Sequence, residues 1–505
     1  MSTDVSETNQ ELLTNETEPN PTGGFSMRPV EPETQSRGAE IFDLLFRPTL
    51  VYAVLFTVCL YDNAKGILVA LLAIATMIYC RVIEGGSGCV RKKGKVLYEI
   101  LFVLLGLSCG LTDNTGIIVF NLIGMFGVLL LMLLHDYKDD SNWSFPRYVA
   151  ELIRTFEKTL DGLFTFFRDV RADSKEESGE RRKTMAYILT GLVFAVPLLV
   201  IVSLLLSSAD VVFASALQSL FQLESLPTFF LIGGMLVLAF FVTYAGMRYF
   251  VSRDEGRTWV EKDRYEPIIA ITALAAVALV YLAFSGIQIA YLFVGNLKLP
   301  DNYTYAQYAR EGFFQLLVVC VINVGVVLVV LGRFRENAVL KVLLAVICGC
   351  TYIMIASSAL RMIMYIQEYA LTRKRVLVLW ALVTISIVLI GVIIQIFRAG
   401  FPLFKYVMVV CAVCYLVLSL GRMDYWIASY DVDHVVADIH ESSAESSLSY
   451  LNEMSADAVP VLKFFASESW MNGYGEKMRE TLEDSWRQWN LSRAIARKSI
   501  FCQTD

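Results

Sequence analysis

Residues 339–366 read VLKVLLAVICGCTYIMIASSALRMIMYI, and after the short stretch QEYALTRKR residues 376–397 read VLVLWALVTISIVLIGVIIQIF. Each run exceeds the roughly 20 apolar residues that a helix needs to cross a hydrocarbon core. Their only charged side chains are Lys341 and Arg361. A helix that is apolar on every side must be buried in a large core or face lipid. Similar segments recur outward in both directions, at about 49–60, 66–80, 97–111, 116–134, 185–207, 228–247, 267–293, 312–332 and 402–420. The predicted fold is therefore all-α: a polytopic transmembrane helix bundle of about eleven hydrophobic segments, followed by a small helical extramembrane domain.

Composition agrees. At 505 residues, 56% hydrophobic and 18% charged, with a mean hydropathy of +0.55, the chain is too apolar for a soluble protein of its size. The lipid bilayer is the partner this demands. A formal charge of -6, without a basic stripe interleaved with aromatics, excludes nucleic acid as a partner. His135, His434 and His440 are too few and scattered to build a metal site by themselves, and no cofactor is expected. Eight of the ten cysteines lie in or at the ends of apolar runs, where they act as small hydrophobes. Cys411 and Cys414 have redox-like spacing, but their apolar setting offers nothing to lower a thiol pKa.

Five regions follow. Residues 1–40 are polar and aperiodic, a predicted disordered cytoplasmic tail with no cleavable leader, so insertion is expected to rely on the internal segments. Residues 41–134 carry the first membrane segments. The first two are short, either a re-entrant hairpin or spans that borrow length from IFDLLFRP. In 135–183, Val149, Leu152, Ile153, Phe156, Leu160, Leu163, Phe164 and Phe167 recur at helical spacing, with Ser144 as cap and Pro146 in the first turn. This amphipathic helix either lies in the membrane interface or covers the inner mouth of the bundle. Residues 184–423 form the second bundle. In 424–505 acidic residues outnumber basic ones, and Ser455 and Asp457 open a helix start in a small polar domain.

Lysine and arginine in short loops orient the chain. Arg81, Arg91, Lys92, Lys93 and Lys95, then Arg181, Arg182 and Lys183, then Arg248, Arg253, Arg257, Lys262 and Arg264 fall on one side, while LTDNTG and ADVVFASALQSLFQLESLP carry neither residue. The N-terminus is then cytoplasmic and the C-terminal domain outside. Arg373, Lys374 and Arg375 violate the pattern.

On that count polar groups converge toward the outer face. Asp210 closes one span, and Tyr305, Tyr308 and Arg310 precede another. Arg361 sits near the outer end of its segment with Tyr365 one turn on, and Asp424 opens the last domain. A carboxylate and a guanidinium at equal depth can pair, and tyrosines supply amphipathic walls. These seven residues are the expected site for a small polar or anionic solute or a lipid headgroup. The plain alternatives are a packing ion pair for Asp210 and Arg310, and an Arg361 that snorkels to the interface. Asn323, Gln288 and Gln395, each alone in an apolar run, are expected to bond between helices.

The stretches SSADVVF at 207–213, YAQYAREGFFQL at 305–316, SSALRMIMYIQEYALT at 357–372, DYWIASY at 424–430, YLNEMSADAVP at 450–460 and WRQWNLSRAIA at 486–496 resemble a family of bacterial multi-spanning membrane proteins defined by a domain of unknown function. The likeness runs from about residue 45 onward and implies a bacterial cytoplasmic membrane, but no activity. Against that pattern Met423 stands where Pro is usual, Asp431 where Asn is usual and Ala370 where Gly is common. Three functions remain open: transport or binding of a solute, an envelope scaffold or sensor with protein partners still to be named, and an enzyme on a lipid-linked substrate with Asp210 or Asp424 as base. The lack of any nucleophile or metal motif weighs against the enzyme.

Overall fold

A computed structural model of the chain describes residues 32–61, 65–89, 91–140, 143–173, 226–252, 264–290, 313–398, 400–436, 450–463, 474–478 and 486–501, with single positions at 191, 202, 206 and 482. Among the described residues it is helical. Its long helices are α1 (Pro32–Leu60), α2 (Ile67–Ser87), α3 (Lys95–Cys109), α4 (Thr115–Tyr137), α5 (Phe145–Asp161), α6 (Thr165–Asp173), α7 (Leu226–Val251), α8 (Pro267–Gln288), α9 (Phe313–Arg333), α10 (Ala338–Tyr369), α11 (Arg373–Phe397), α12 (Leu403–Leu420) and α13 (Met423–Val436). Short α14 (Val459–Leu462) and α15 (Leu491–Phe501) follow.

Nine of the described helices, α1, α2, α4 and α7 to α12, are long and apolar enough to cross a membrane. The protein is a multi-pass membrane protein with the helical bundle its sequence predicts. The segment expected at 185–207 lies outside the described residues. The first two segments are full-length helices and not a re-entrant hairpin: α1 contributes Gly38–Leu60 by taking in IFDLLFRP, and α2 contributes Ile67–Ser87. Pro48 stays inside α1, while Phe42 and Leu45 before it are buried in the core. Helix α1 also reaches back to Pro32, into the stretch that composition assigned to the tail. Helix α3 has only 15 residues, about 22 Å at 1.5 Å per residue, and begins with buried Lys95.

Two packed groups share the bundle. Helices α1 to α4, α6 and α7 close around Leu45, Ile83, Met132 and Tyr244. The second group, α8 to α12, closes around Val327, Leu344, Ile347 and Val392. They meet where Ser419 of α12 donates to Asn121 Oδ1 of α4 at 2.8 Å and bonds Ser108 of α3, and where the Tyr415 hydroxyl donates to the Ile117 carbonyl at 3.0 Å. Asn323 behaves as expected, accepting from the Tyr281 hydroxyl at 2.7 Å and donating to Thr351 at 2.9 Å. Gln395 differs, since its Oε1 is buried without a hydrogen bond.

The connections sort to two ends. The basic end gathers the described connecting residues 88–89, 91–94, 138–140, 143–144, 334–337, 398 and 400–402. At the other end lie 65–66, 110–114, 370–372 and 421–422, and on them sit the C-terminal segments, which form a module with its own core of Ile427, Leu451, Met454, Leu462, Met478 and Ala496. Gly66 holds φ at +88°, and beside it the Ile67 amide donates to the Trp489 carbonyl at 3.0 Å. Leu491 donates to the Gly110 carbonyl at 2.9 Å, so the last helix is seated directly on the loops of the bundle.

Candidate functional site

Three aspartates at the junction of module and bundle are buried, and each takes an arginine. Asp424, wholly buried in the first turn of α13, accepts from Arg373 Nε at 2.8 Å and Nη2 at 2.7 Å, a two-pronged contact with the start of α11. It also accepts from Asn114 Nδ2 at 2.8 Å, the Ser455 amide at 3.1 Å and the Ser455 hydroxyl at 2.6 Å. Asp457, equally buried, accepts from the Thr112 hydroxyl at 2.5 Å and the Asp113 amide at 3.3 Å, and pairs with Arg422 at 3.4 Å. Asp113 faces the other way, accepting from Arg493 Nε at 2.8 Å and Asn490 Nδ2 at 3.3 Å.

Local sequence explains each placement. Asn114 caps α4 by accepting from the Ile117 amide at 3.2 Å, which leaves its amide nitrogen for Asp424. Asp424 sits at the positive end of the α13 dipole. Ser455 occupies the cap position expected of it, before the 3-10 turn Ala456–Ala458, yet its hydroxyl serves Asp424 and Asp457 and makes no cap bond. Burial pushes the Asp424 carboxyl up, but the Arg373 guanidinium and the Ser455 donors outweigh it and hold it below the usual range. Asp431, about two turns further along α13, has no such guanidinium bond. Burial raises its carboxyl to about 7, while it accepts from the Leu371 amide at 2.7 Å.

Of the expected site residues, Asp210, Tyr305, Tyr308 and Arg310 lie outside the described residues. The other three make separate contacts. Asp424 is enclosed by its five donors. Tyr365 lies under the Arg375 guanidinium, 4.2 Å from the ring centroid, and Arg375 Nη1 also donates to the Tyr369 carbonyl at 2.5 Å. Arg361 does not snorkel: it is buried and its Nη2 donates to Gln288 Oε1 at 3.2 Å, an oxygen shared with the Ser357 hydroxyl at 2.7 Å. Around them the buried hydroxyls of Ser285 and Ser358 make no hydrogen bond.

Sequence reading missed Arg373, Arg422, Asp457 and Arg493 as site residues. The signal was present: arginines on the face where two loops carry no lysine or arginine need a counter-charge, and Arg373 to Arg375 were that anomaly. Arg373 is spent on Asp424, and Arg375 on the last carbonyls of α10.

The basic end carries a second polar assembly. Lys95 lies between Glu84 and Asp136, 2.7 Å from the latter, and Glu99 takes Arg91 at 2.9 Å and Arg81 at 3.3 Å. Asp140 joins His135 at 2.9 Å, the Tyr148 hydroxyl at 2.8 Å and Lys405 at 3.4 Å. Burial raises its carboxyl, but these donors prevail and bring it to about 2. No group of three or more His, Cys, Asp or Glu among the described residues is placed to hold a metal.

A family model described as a domain of unknown function, DUF4153, matches residues 100–463. Neither a curated protein nor a solved structure matches the chain.

Proposed function

The chain belongs to the DUF4153 family, and from that premise we propose that it is an envelope scaffold or sensor of a bacterial cytoplasmic membrane, acting through an outer C-terminal module locked to the bundle. The observation that carries this reading is the set of three buried aspartates, each engaged by an arginine, with Asp424 receiving donors from α11, from the loop before α4 and from the module itself. Such a joint transmits position. A carboxylate with all its lone-pair sites occupied offers nothing to a passing solute. Buried pairs of this kind are often no more stabilising than apolar residues, and their best attested use is to specify one arrangement. Lysine and arginine in the loops of the opposite end support a cytoplasmic placement for that end and an outer one for the module.

A second reading, binding of a polar or anionic solute or headgroup between α8 and α10, is favoured by the unbonded Ser285 and Ser358 hydroxyls beside Gln288 and Arg361. Chromosomal alleles separate the two. The scaffold reading expects Asp424→Asn to reproduce the phenotype of deleting the gene while Arg361→Gln, at equal abundance, does not. The reverse result would move the function to the α8–α10 seam.

A further inference from the structure

Helix α5 is inside out relative to a helix of a soluble protein. The side chains it buries are Tyr148, Glu151 and Thr155, whereas Val149, Ile153, Phe156 and Leu160 are exposed, Ile153 to 64%. Phe164, in the turn between α5 and α6, is 70% exposed. These five positions fall on one helical stripe that points away from the protein, while Leu152 and Phe167 of the expected apolar face pack against the core. The polar face is occupied: Glu151 accepts from Lys138 Nζ at 2.6 Å, and the Tyr148 hydroxyl donates to Asp140. Ser144 stands at the expected cap position without a side-chain bond, and Pro146 packs against Gly332 at the end of α9.

We propose that α5 and α6 form an interfacial hairpin whose apolar face lies in the acyl–headgroup boundary of the bilayer at the basic end of the bundle. Depth supports it. Phe166 of α6 packs its ring against Phe240, Phe241 and Tyr244 of α7 and against Phe42 of α1. Those α7 residues lie 7 to 11 positions before its end at Val251, roughly 10–16 Å along the helix at 1.5 Å per residue. The stripe continues the exposed apolar surface of the neighbouring spans, Val242 on α7 and Val326 and Val329 on α9. Charge fits as well. Glu151 is engaged by Lys138 and Arg154, and Asp169 by Arg248, so that around the two helices Lys138, Arg147, Arg154, Lys158, Arg168 and Arg248 outnumber Glu151, Glu157, Asp161 and Asp169, a net surplus of positive charge beside the headgroup phosphates.

The test uses the full chain in phospholipid nanodiscs. A nitroxide is placed at Ile153→Cys or Phe164→Cys, with Lys158→Cys as reference and the native cysteines replaced. Relaxation by oxygen, which partitions into lipid, is compared with relaxation by a water-soluble nickel chelate. The proposal expects oxygen to dominate at 153 and 164 and the chelate at 158. Dominance of the chelate at 153 and 164 would mean a water-facing stripe, and protection from both reagents would mean a protein cover, such as a second copy; either overturns it. The unmodified protein provides a check free of variants. A lipid-soluble carbene reagent should label the tryptic peptides Tyr148–Arg154 and Thr159–Arg168, and their absence from the labelled set would equally reject a lipid contact.

Discussion

Replacing Asp424 by Asn keeps the shape of the side chain and removes its charge, leaving Arg373 facing an amide where it had a two-pronged carboxylate. Removing one partner of a buried pair costs about 3–5 kcal/mol. Here the lower figure applies, because the Arg373 side chain keeps 31% of its exposure and can recover some hydration. A loss of about 3 kcal/mol raises the population with the module undocked roughly 100-fold, at 1.4 kcal/mol per factor of ten. Trypsin reads that population, since cleavage of a transiently opened segment tracks its equilibrium abundance. The assay is the initial rate of cleavage at Lys463 and Lys477 in nanodiscs at pH 7.5. Arg373→Gln added to Asp424→Asn should recover part of the loss, since the uncompensated guanidinium goes with it. Acid should mimic the substitution: the carboxyl is held below its usual range, so its contribution is complete above the unfolded value near 3.9 and is lost as pH falls through the folded one. A cleavage rate for Asp424→Asn within twofold of wild type, with the bundle intact, would refute the idea that this carboxylate holds the module down.

Asp431 should act in the opposite sense. With its carboxyl raised to about 7, its contribution is full below the unfolded value near 3.9 and is lost as pH rises through 7, so Asp431→Asn should flatten the fall in module protection between pH 5 and 8. An unchanged pH profile in that variant would reject the assignment. Ala370 holds φ at +61° and ψ at -170°, a region suited to glycine, at a strain of about 1–3 kcal/mol. Ala370→Gly should therefore raise the melting temperature by a few degrees even after losing one buried methyl, and a lower melting temperature would count against the strain. Gly66 combines φ +88° with a site where an added Cβ would stand 2.6 Å from the Trp489 carbonyl oxygen. Gly66→Ala should loosen the last segment by about 1–3 kcal/mol, seen as faster amide exchange at Leu491 than in wild type. Equal exchange would show that the close approach is dispensable.

How far the site was legible follows from what each residue type announces. Asp424 stood out as the carboxylate opening a helix after a span, and it proved to be the centre of the joint. Its partner was hidden in plain view, because positive charge at Arg373 argued first about topology and only then about pairing. Thr112, Asn114 and Ser455 carry no such signal; small polar residues in turns look alike whether they cap a helix or serve a carboxylate, which lies 345 positions away for Thr112, 310 for Asn114 and 31 for Ser455. Arg361 was singled out as a site residue or a snorkelling one, and the structure places it buried with its Nη2 donating to Gln288 of α8. The stripe of α5 was legible as a pattern and not as a direction, since amphipathic spacing is the same whether the apolar face turns toward the bundle or away from it.

The sequence by itself determined that this chain is a helical membrane protein and placed most of its crossings, because unbroken apolar length is a local property that the bilayer reads residue by residue. It also determined that a polar helical module follows the last span. Only the tertiary structure decided that short segments 49–60 and 66–80 lengthen into full helices, that Arg373 meets Asp424 across 51 positions, and that Asp113 and Asp457 are joined to residues of distant segments. Those facts depend on which surfaces pack together. The strength of an ion pair depends on burial and distance, and neither quantity exists until the helices have packed.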